Sequence, residues 1–299
     1  MKRDRFLPRA LVVGLGLWAL GLSPFAISLA AAETPAPAKK AAEAKPIRAL
    51  LVVGGCCHDY TTQKLIISEG TAARARIEWT LVQQGGTATN SRIPLYEKAD
   101  WAKGYDIVVH AECFSDVKDP KYTETILKPH RDGIPAVVIH CAMHCYRDGT
   151  GEWFNFCGVT SHRHGGHYAF DVENRKPEHP VMKGFGSTWK TPKGELYWIS
   201  ELKSTATPLG IGKNTESNKD EVCIWTNQFG KGKVLGTTIG HYNEEMADPK
   251  FLDMLTRGIL WATDKKAEDY LLPFDASQTK FRWETQVKPA ETKEPPMKK

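Results

Sequence analysis

Apolar and polar positions divide the chain into short segments, each with its own period. Residues 47–53 form a continuous apolar run closed by Gly54 and Gly55, the pattern of a strand buried on both faces. Residues 63–75 then follow a helical period, and Ile77, Trp79 and Leu81 alternate as a second strand. A third strand is predicted over 105–109, a helix over 120–130, and a fourth strand over 136–139 after the turn Gly133-Ile134-Pro135. Strands separated by helices of this length need parallel crossovers, hence an α/β sheet covered on both sides.

The second half changes character. Segments 168–172, 196–199 and 207–211 read as short strands without clear helices between them. Segments 222–227 and 233–238 flank Gly230-Lys231-Gly232 and predict a hairpin, so the sheet is mixed. Residues 249–262 close the block as a helix whose apolar face carries Phe251, Leu252, Leu255, Ile259 and Leu260.

Composition sets the limits of this block. With 41% hydrophobic and 25% charged residues in 299, the chain is too apolar for disorder. Lys2, Arg3, Arg5 and Arg9 precede an apolar run and then Ala30-Ala31-Ala32, the layout of a signal peptide over residues 1–32. Residues 33–45 are Ala, Pro, Lys and Glu, a linker with nothing to bury, and 275–299 is a polar tail; one domain is expected over 46–274. Export to the periplasm or the extracellular space follows, with no stable membrane insertion after cleavage. Removing the leader takes the formal charge from +5 to about +2, which takes away the main argument for nucleic acid as a partner.

Ligands of an open parallel sheet bind beyond the carboxyl ends of its strands, and those ends are rich in chemistry here. Cys56-Cys57-His58-Asp59 follows the first, His110, Glu112 and Cys113 the third, His140, Cys141 and His144 the fourth, and His241 the hairpin. If a helix opens at Cys141, His140 and His144 share one face, the spacing of paired-histidine metal sites; a metal-free role for the pair stands beside it. His162, His164 and His167 surround Gly165-Gly166 in an expected loop, read as closing over a substrate, with metal ligation as the alternative. Cys141, just after a buried strand, is a candidate nucleophile with His241 as partner, though the small residues of a nucleophile elbow are missing around it. The seven cysteines contain no C-x-x-C pair, and burial as small hydrophobes is the default for Cys113, Cys157 and Cys223.

Gly54-Gly55 with His58-Asp59, the 136–140 segment with His144, His179-Pro180-Val181, Gly194-Glu195-Leu196-Tyr197 and the 230–241 segment ending Gly240-His241 together resemble the ThuA-like, trehalose-utilisation family. The resemblance runs from about residue 47 to 264. It implies a flavodoxin-like, class I glutamine amidotransferase-like three-layer sandwich with a mixed, mostly parallel sheet, without glutaminase chemistry, so that Cys141 is incidental. It also implies an association with disaccharides and their 3-keto forms, and a divalent metal such as zinc near the histidines. The matching positions are His140, His144, Glu195 and His241, with His58 and Asp59 nearby.

The resulting expectation is a carbohydrate-active enzyme acting on a small carbohydrate by histidine acid/base chemistry. His140, His241, Asp59 and Glu195 are its catalytic candidates, and His58, His162, His164 and His167 its substrate contacts. His140, His144 and His241 are the metal candidates. A 3-keto sugar has an acidified proton beside its carbonyl, which a neutral imidazole can remove. Two alternatives stay open: a non-catalytic sugar-binding module, and a Cys141-dependent hydrolase or amidotransferase-like enzyme.

Overall fold

Strand β1 (Ile47–Gly55) is buried along all but its second residue because β2 (Ile77–Gln83) and β3 (Ile107–Cys113) flank it, both parallel. This is the central position that the continuous apolar run requires. In the computed structural model, residues 44–275 are described. The expected signal peptide, nearly all of the expected linker and the tail beyond residue 275 lie outside the described residues.

Helix α1 (Tyr60–Ala72) follows β1, started by Asp59, whose Oδ1 accepts from the Thr62 amide at 3.2 Å. Helix α2 (Pro120–Asp132), capped by Asp119, leads from β3 to β4 (Ala136–Ile139). A 3-10 turn (His140–His144) and α3 (Glu152–Cys157) come next, then β5 (Val159–Tyr168), β6 (Asp171–Asn174), β7 (Thr188–Lys190) and β8 (Gly194–Leu202). The chain continues through β9 (Ala206–Asn214), β10 (Lys219–Phe229) and β11 (Gly232–Thr237) to α4 (Asn243–Ala247), α5 (Pro249–Ala262) and α6 (Ala267–Tyr270).

Among the described residues the main sheet has nine strands in the order β2-β1-β3-β4-β11-β10-β9-β6-β7, and β5 pairs with β8 in a separate two-stranded sheet. The first five are mutually parallel, and β10, β9, β6 and β7 add on antiparallel. The order β2-β1-β3-β4-β11 is the flavodoxin-like one, which reverses between β1 and β3. One core packs α1 and α5 against one face through Ile66, Ile67, Phe251 and Leu255. A second packs α2 and α3 on the other through Tyr122, Ile126, Trp153 and Phe156. The fold is thus the expected α/β sandwich with a mixed sheet whose central strands are mostly parallel.

One expectation is corrected. Residues 162–167 are part of β5, not a loop. Gly165 and Gly166 read as turn residues from sequence, but the strand passes through them with an irregularity in pairing between His164 and His167. A bulge absorbs the extra residues and leaves His164 opposite Tyr197 and His167 opposite Glu195 on β8. The expected strand over 168–172 is likewise divided, because Tyr168 ends β5 and Asp171 begins β6.

His110 and Glu112 do not reach the strand-end rim; alternation along β3 turns both into the second core, where neither is exposed. Glu112 Oε1 accepts from Tyr96 Oη at 2.9 Å and Tyr146 Oη at 3.1 Å and lies 2.9 Å from His110 Nδ1. His110 Nε2 meets His130 Nε2 at 3.0 Å, and His130 Nδ1 donates to Ile134 O at 2.8 Å. Glu112→Ala would leave two hydroxyls and an imidazole buried without their acceptor. A loss of about 3–5 kcal/mol is expected, read as a fall in the urea midpoint with unchanged m-value.

Candidate functional site

Three ends of parallel strands and one strand of the small sheet build a single cluster. The chain leaves β1 through Cys56 and Cys57 to reach His58, β4 runs directly into His140, β11 leads to His241, and β8 contributes Glu195. Gly55 is required at the exit of β1: its φ is +97°, and a Cβ there would collide with the carbonyl oxygen of Cys113. His140 itself has φ +50°, an uncommon conformation for a residue with a Cβ, costing on the order of 1–3 kcal/mol. The strained post-strand position is therefore occupied by His140 rather than Cys141.

The donor pattern of the rings can be worked out from their partners. Tyr60 Oη donates to Cys56 O at 2.9 Å, so it accepts from His58 Nδ1 at 3.2 Å, and the His58 lone pair lies on Nε2. His140 Nδ1 donates to Thr238 O at 2.6 Å, which leaves its lone pair on Nε2 as well. These two nitrogens face His241 Nδ1 at 3.2 and 3.3 Å. Glu195 Oε2 completes the group, 3.2 Å from His140 Nε2 and 3.3 Å from His241 Nδ1. Tyr197 Oη stands 3.2 Å from His140 Nε2.

With the His241 proton on Nε2, the lone pairs of three rings and the Glu195 oxygen converge, and such a set suits a cation. Donors at about 2.0–2.1 Å from a tetrahedral zinc-like ion stand about 3.3 Å apart, which matches the His58–His241, His140–His241, His140–Glu195 and His241–Glu195 spacings. The Tyr60 hydroxyl and the Thr238 carbonyl, each fixing an Nδ1–H, supply the usual outer support of such ligands. The donor set therefore fits a divalent metal. If it does, Tyr60→Phe should weaken zinc binding by about tenfold or more without unfolding the protein, measurable by competition with a chelating dye.

Electrostatics agree with this arrangement. Burial holds the His58 imidazole well below its ordinary range, aided by the neighbouring His140 and His241. Burial lowers His140 too, against the opposing pull of Glu195. For Glu195, burial pushes upward, but the adjoining His140 and His241 outweigh it and keep the carboxyl below the usual carboxylate range. The His241 backbone is held by Glu245, whose Oε2 accepts from the Gly240 and His241 amides at 2.9 Å each, and by Gln63, which donates to His241 O at 3.0 Å. Gly194 beside Glu195 is needed because a Cβ there would strike Glu245 Oε1.

The second oxygen of Glu195 serves the small sheet. Oε1 lies 2.8 Å from His167 Nε2 and 3.1 Å from His164 Nδ1. His164 Nδ1 also lies 2.9 Å from Gly165 O, so its lone pair is on Nε2 of a ring whose side chain is 39% exposed. His167 Nδ1 meets Tyr242 Oη at 2.6 Å. Glu195 thus separates a buried set of donors from a pair of imidazoles at the open side.

Of the residues singled out from sequence, His140, His241, Glu195, His58, His164 and His167 come together. The structure does not bring in His144, His162 or Asp59. His144 Nε2 meets Ser161 Oγ at 2.8 Å, and its ring stacks on Tyr197 at 4.0 Å. His162 is exposed and packs edge-on against Phe154. Asp59 caps α1, and its Oδ2 accepts from Asn243 Nδ2 at 3.0 Å. Cys113, expected to be simply buried, is disulfide-bonded to Cys141, and Cys56 is bonded to Cys57. While that bond stands, Cys141 has no thiol to attack a substrate. Tyr60, Gln63, Tyr197 and Glu245 were not singled out as site residues, since each acts by holding the side chain or backbone of another residue and none carries a sequence signal of its own.

A family model described as ThuA, trehalose utilisation, matches residues 54–262. No curated protein matches the chain. Among solved structures, the fold is similar to a ThuA-like protein from Parabacteroides merdae, with 20% identity and TM-score 0.62 over 74% of this chain and 91% of that one. A ThuA-like protein from Bacteroides uniformis is similar at 14% identity and TM-score 0.56, over 75% and 97% of the two chains. A cytoplasmic protein from Salmonella typhimurium follows at 13% identity and TM-score 0.51, over 71% and 98%. At these identities the likeness carries the fold, and function has to be argued from the site.

Proposed function

The chain belongs to the ThuA, trehalose-utilisation family, and on that premise we propose that it is an exported enzyme that cleaves or isomerises a disaccharide in its 3-keto form at the His58–His140–His241–Glu195 centre. The observation that carries this reading is the convergence of His58 Nε2 and His140 Nε2 on His241 Nδ1 at 3.2 and 3.3 Å, with Glu195 Oε2 at 3.2 Å from His140 and 3.3 Å from His241, beyond the ends of three parallel strands. His58, His140 and His241, with Glu195 Oε2, would hold a divalent ion such as zinc. Such an ion supplies a Lewis acid that draws charge from a carbonyl oxygen.

The remaining work falls to the open side. His164, with Nδ1–H turned to Gly165 O and Glu195, offers Nε2 as the base that removes the proton beside the keto group. Glu195 stabilises the imidazolium that results, as a carboxylate does for any histidine base it orients. In a cleavage, the electron pair left on carbon expels the glycosidic oxygen, and the imidazolium returns the proton to that leaving group. In an isomerisation, the same proton returns to a neighbouring carbon. His167, with both ring nitrogens engaged by Glu195 and Tyr242, would steady the carboxylate oxygen that faces His164.

The test pairs metal analysis of the purified protein with a screen of trehalose and its keto derivatives. About one equivalent of zinc or a similar ion, with turnover of an oxidised disaccharide but not of the parent sugar, is the expected result. Binding of the sugar without turnover would favour the non-catalytic module instead.

A further inference from the structure

Beside the histidine centre lies a second cluster that the proposed chemistry does not use. Cys56 and Cys57 follow β1, Cys113 ends β3, and Cys141 follows β4, so three adjacent strand ends bring four of the seven cysteines to one place. They are paired as Cys56–Cys57 and Cys113–Cys141, with Cys56 Sγ and Cys113 Sγ 3.5 Å apart. The sulfurs of Cys56, Cys57 and Cys113 all lie within 4.8 Å of one another. Those of Cys113 and Cys141 lie within the same 4.8 Å of a His58 nitrogen.

Neither bond has much to do as a staple. Joining neighbouring residues closes no loop and removes almost no freedom from the unfolded chain. The Cys113–Cys141 bond joins the ends of β3 and β4, which the sheet already pairs. Sulfur chemistry is the better account of four cysteines at one spot. The backbone supports it: Cys57 has φ +80°, in the left-handed region, so the reversal of side chains expected for consecutive extended residues does not apply to it. Cys57 is exposed and Cys56 and Cys141 are half-buried, so a reductant and an ion can reach the cluster. Cys145, Cys157 and Cys223, in contrast, are buried free thiols whose ionisation burial opposes.

We infer that Cys56, Cys57, Cys113 and Cys141, once reduced, form a tetrathiolate site for a thiophilic ion of the zinc class, separate from the histidine centre. A small dithiol supplies the electrons: each disulfide takes up two electrons and two protons to give two thiols, and the dithiol becomes its own disulfide. Binding then releases the thiol protons. Sulfurs around a tetrahedral ion at 2.3 Å stand about 3.8 Å apart, close to the 3.5 Å already present between Cys56 and Cys113.

The test uses the whole protein, reduced under anaerobic conditions, freed of reductant and metal, and titrated with Co(II). The expected result is the intense near-ultraviolet sulfur-to-cobalt charge-transfer band with tetrahedral visible bands, discharged by zinc. The untreated disulfide form should lack it. Cys113→Ser and Cys56→Ser should each lose most of the band, and Cys57→Ser, an exposed position, carries the same test if the buried change disturbs folding. Cys223→Ala should keep it. Glu195→Gln should keep it too, so failure of the histidine centre and failure of this site are distinguishable. Reduced protein that takes up Co(II) without the charge-transfer band, or a band that survives Cys56→Ser and Cys57→Ser together, would overturn the proposal.

Discussion

His140→Ala is expected to lower turnover of a 3-keto disaccharide by about 100-fold or more and to strip the bound ion, because the change deletes a donor from the middle of the cluster. His140 Nε2 lies within 3.3 Å of His241 Nδ1, Glu195 Oε2 and Tyr197 Oη, so no neighbouring group can take over its place. His241→Ala should behave in the same way. His164→Ala should lose a similar factor in turnover while keeping the metal, since its ring faces the other oxygen of Glu195. Folding should survive all three, as none of these rings fills the apolar cores. Metal content measured alongside kcat separates the two roles. Equal loss of metal in His164→Ala, or normal turnover in His140→Ala, would remove the assignment.

The sequence already contained the fold because each central strand is a plain apolar run and each crossover a clear helical period. The ends of β4 and α5 coincide with their predicted limits, since Gly133-Ile134-Pro135 and Pro249 punctuate the chain there. The site was partly legible for the same reason: a parallel sheet delivers its strand ends to one rim, and His58, His140 and His241 stand just beyond three of them. Glu195 was legible only through the family motif, because a carboxylate opening an edge strand looks like a surface residue. His144 pairs with His140 on one face only in an α-helix, and the observed 3-10 turn, with three residues per turn, rotates it away. Tertiary pairing decided the rest. Nothing local indicates that residues 162–167 meet β8, or that Cys113 and Cys141 meet across neighbouring strand ends.

Stability should peak near pH 6.5 and fall on both sides, because two kinds of buried group titrate differently in the folded and unfolded chain. Burial, with His110 beside it, lowers His130 to about 3, and burial, with Arg147 near it, lowers His144 to about 2. Below the ordinary histidine value the unfolded chain binds protons that the fold refuses, so stability present above pH 6.5 is lost as pH falls. Glu245 acts in the opposite sense: burial pushes it up to about 8 despite the backbone amides it accepts from. Its contribution is full below the ordinary carboxyl value and is lost as pH rises through 8. Each group is worth about 1.4 kcal/mol per pH unit while only one state is titrating. Between pH 4.5 and 6.5 the two histidines outweigh the single carboxyl, leaving a net loss of about 1.4 kcal/mol per unit of acidification. His58 and His140, lowered the same way, steepen that limb in metal-free protein. Between pH 6.5 and 8 Glu245 alone costs about 2 kcal/mol. Urea midpoints across this range should therefore trace a peak, with Glu245→Gln flattening the alkaline limb and His144→Gln making the acid limb shallower. A midpoint that does not move between pH 4.5 and 6.5, or an alkaline limb unchanged in Glu245→Gln, would show that these groups titrate alike in both states.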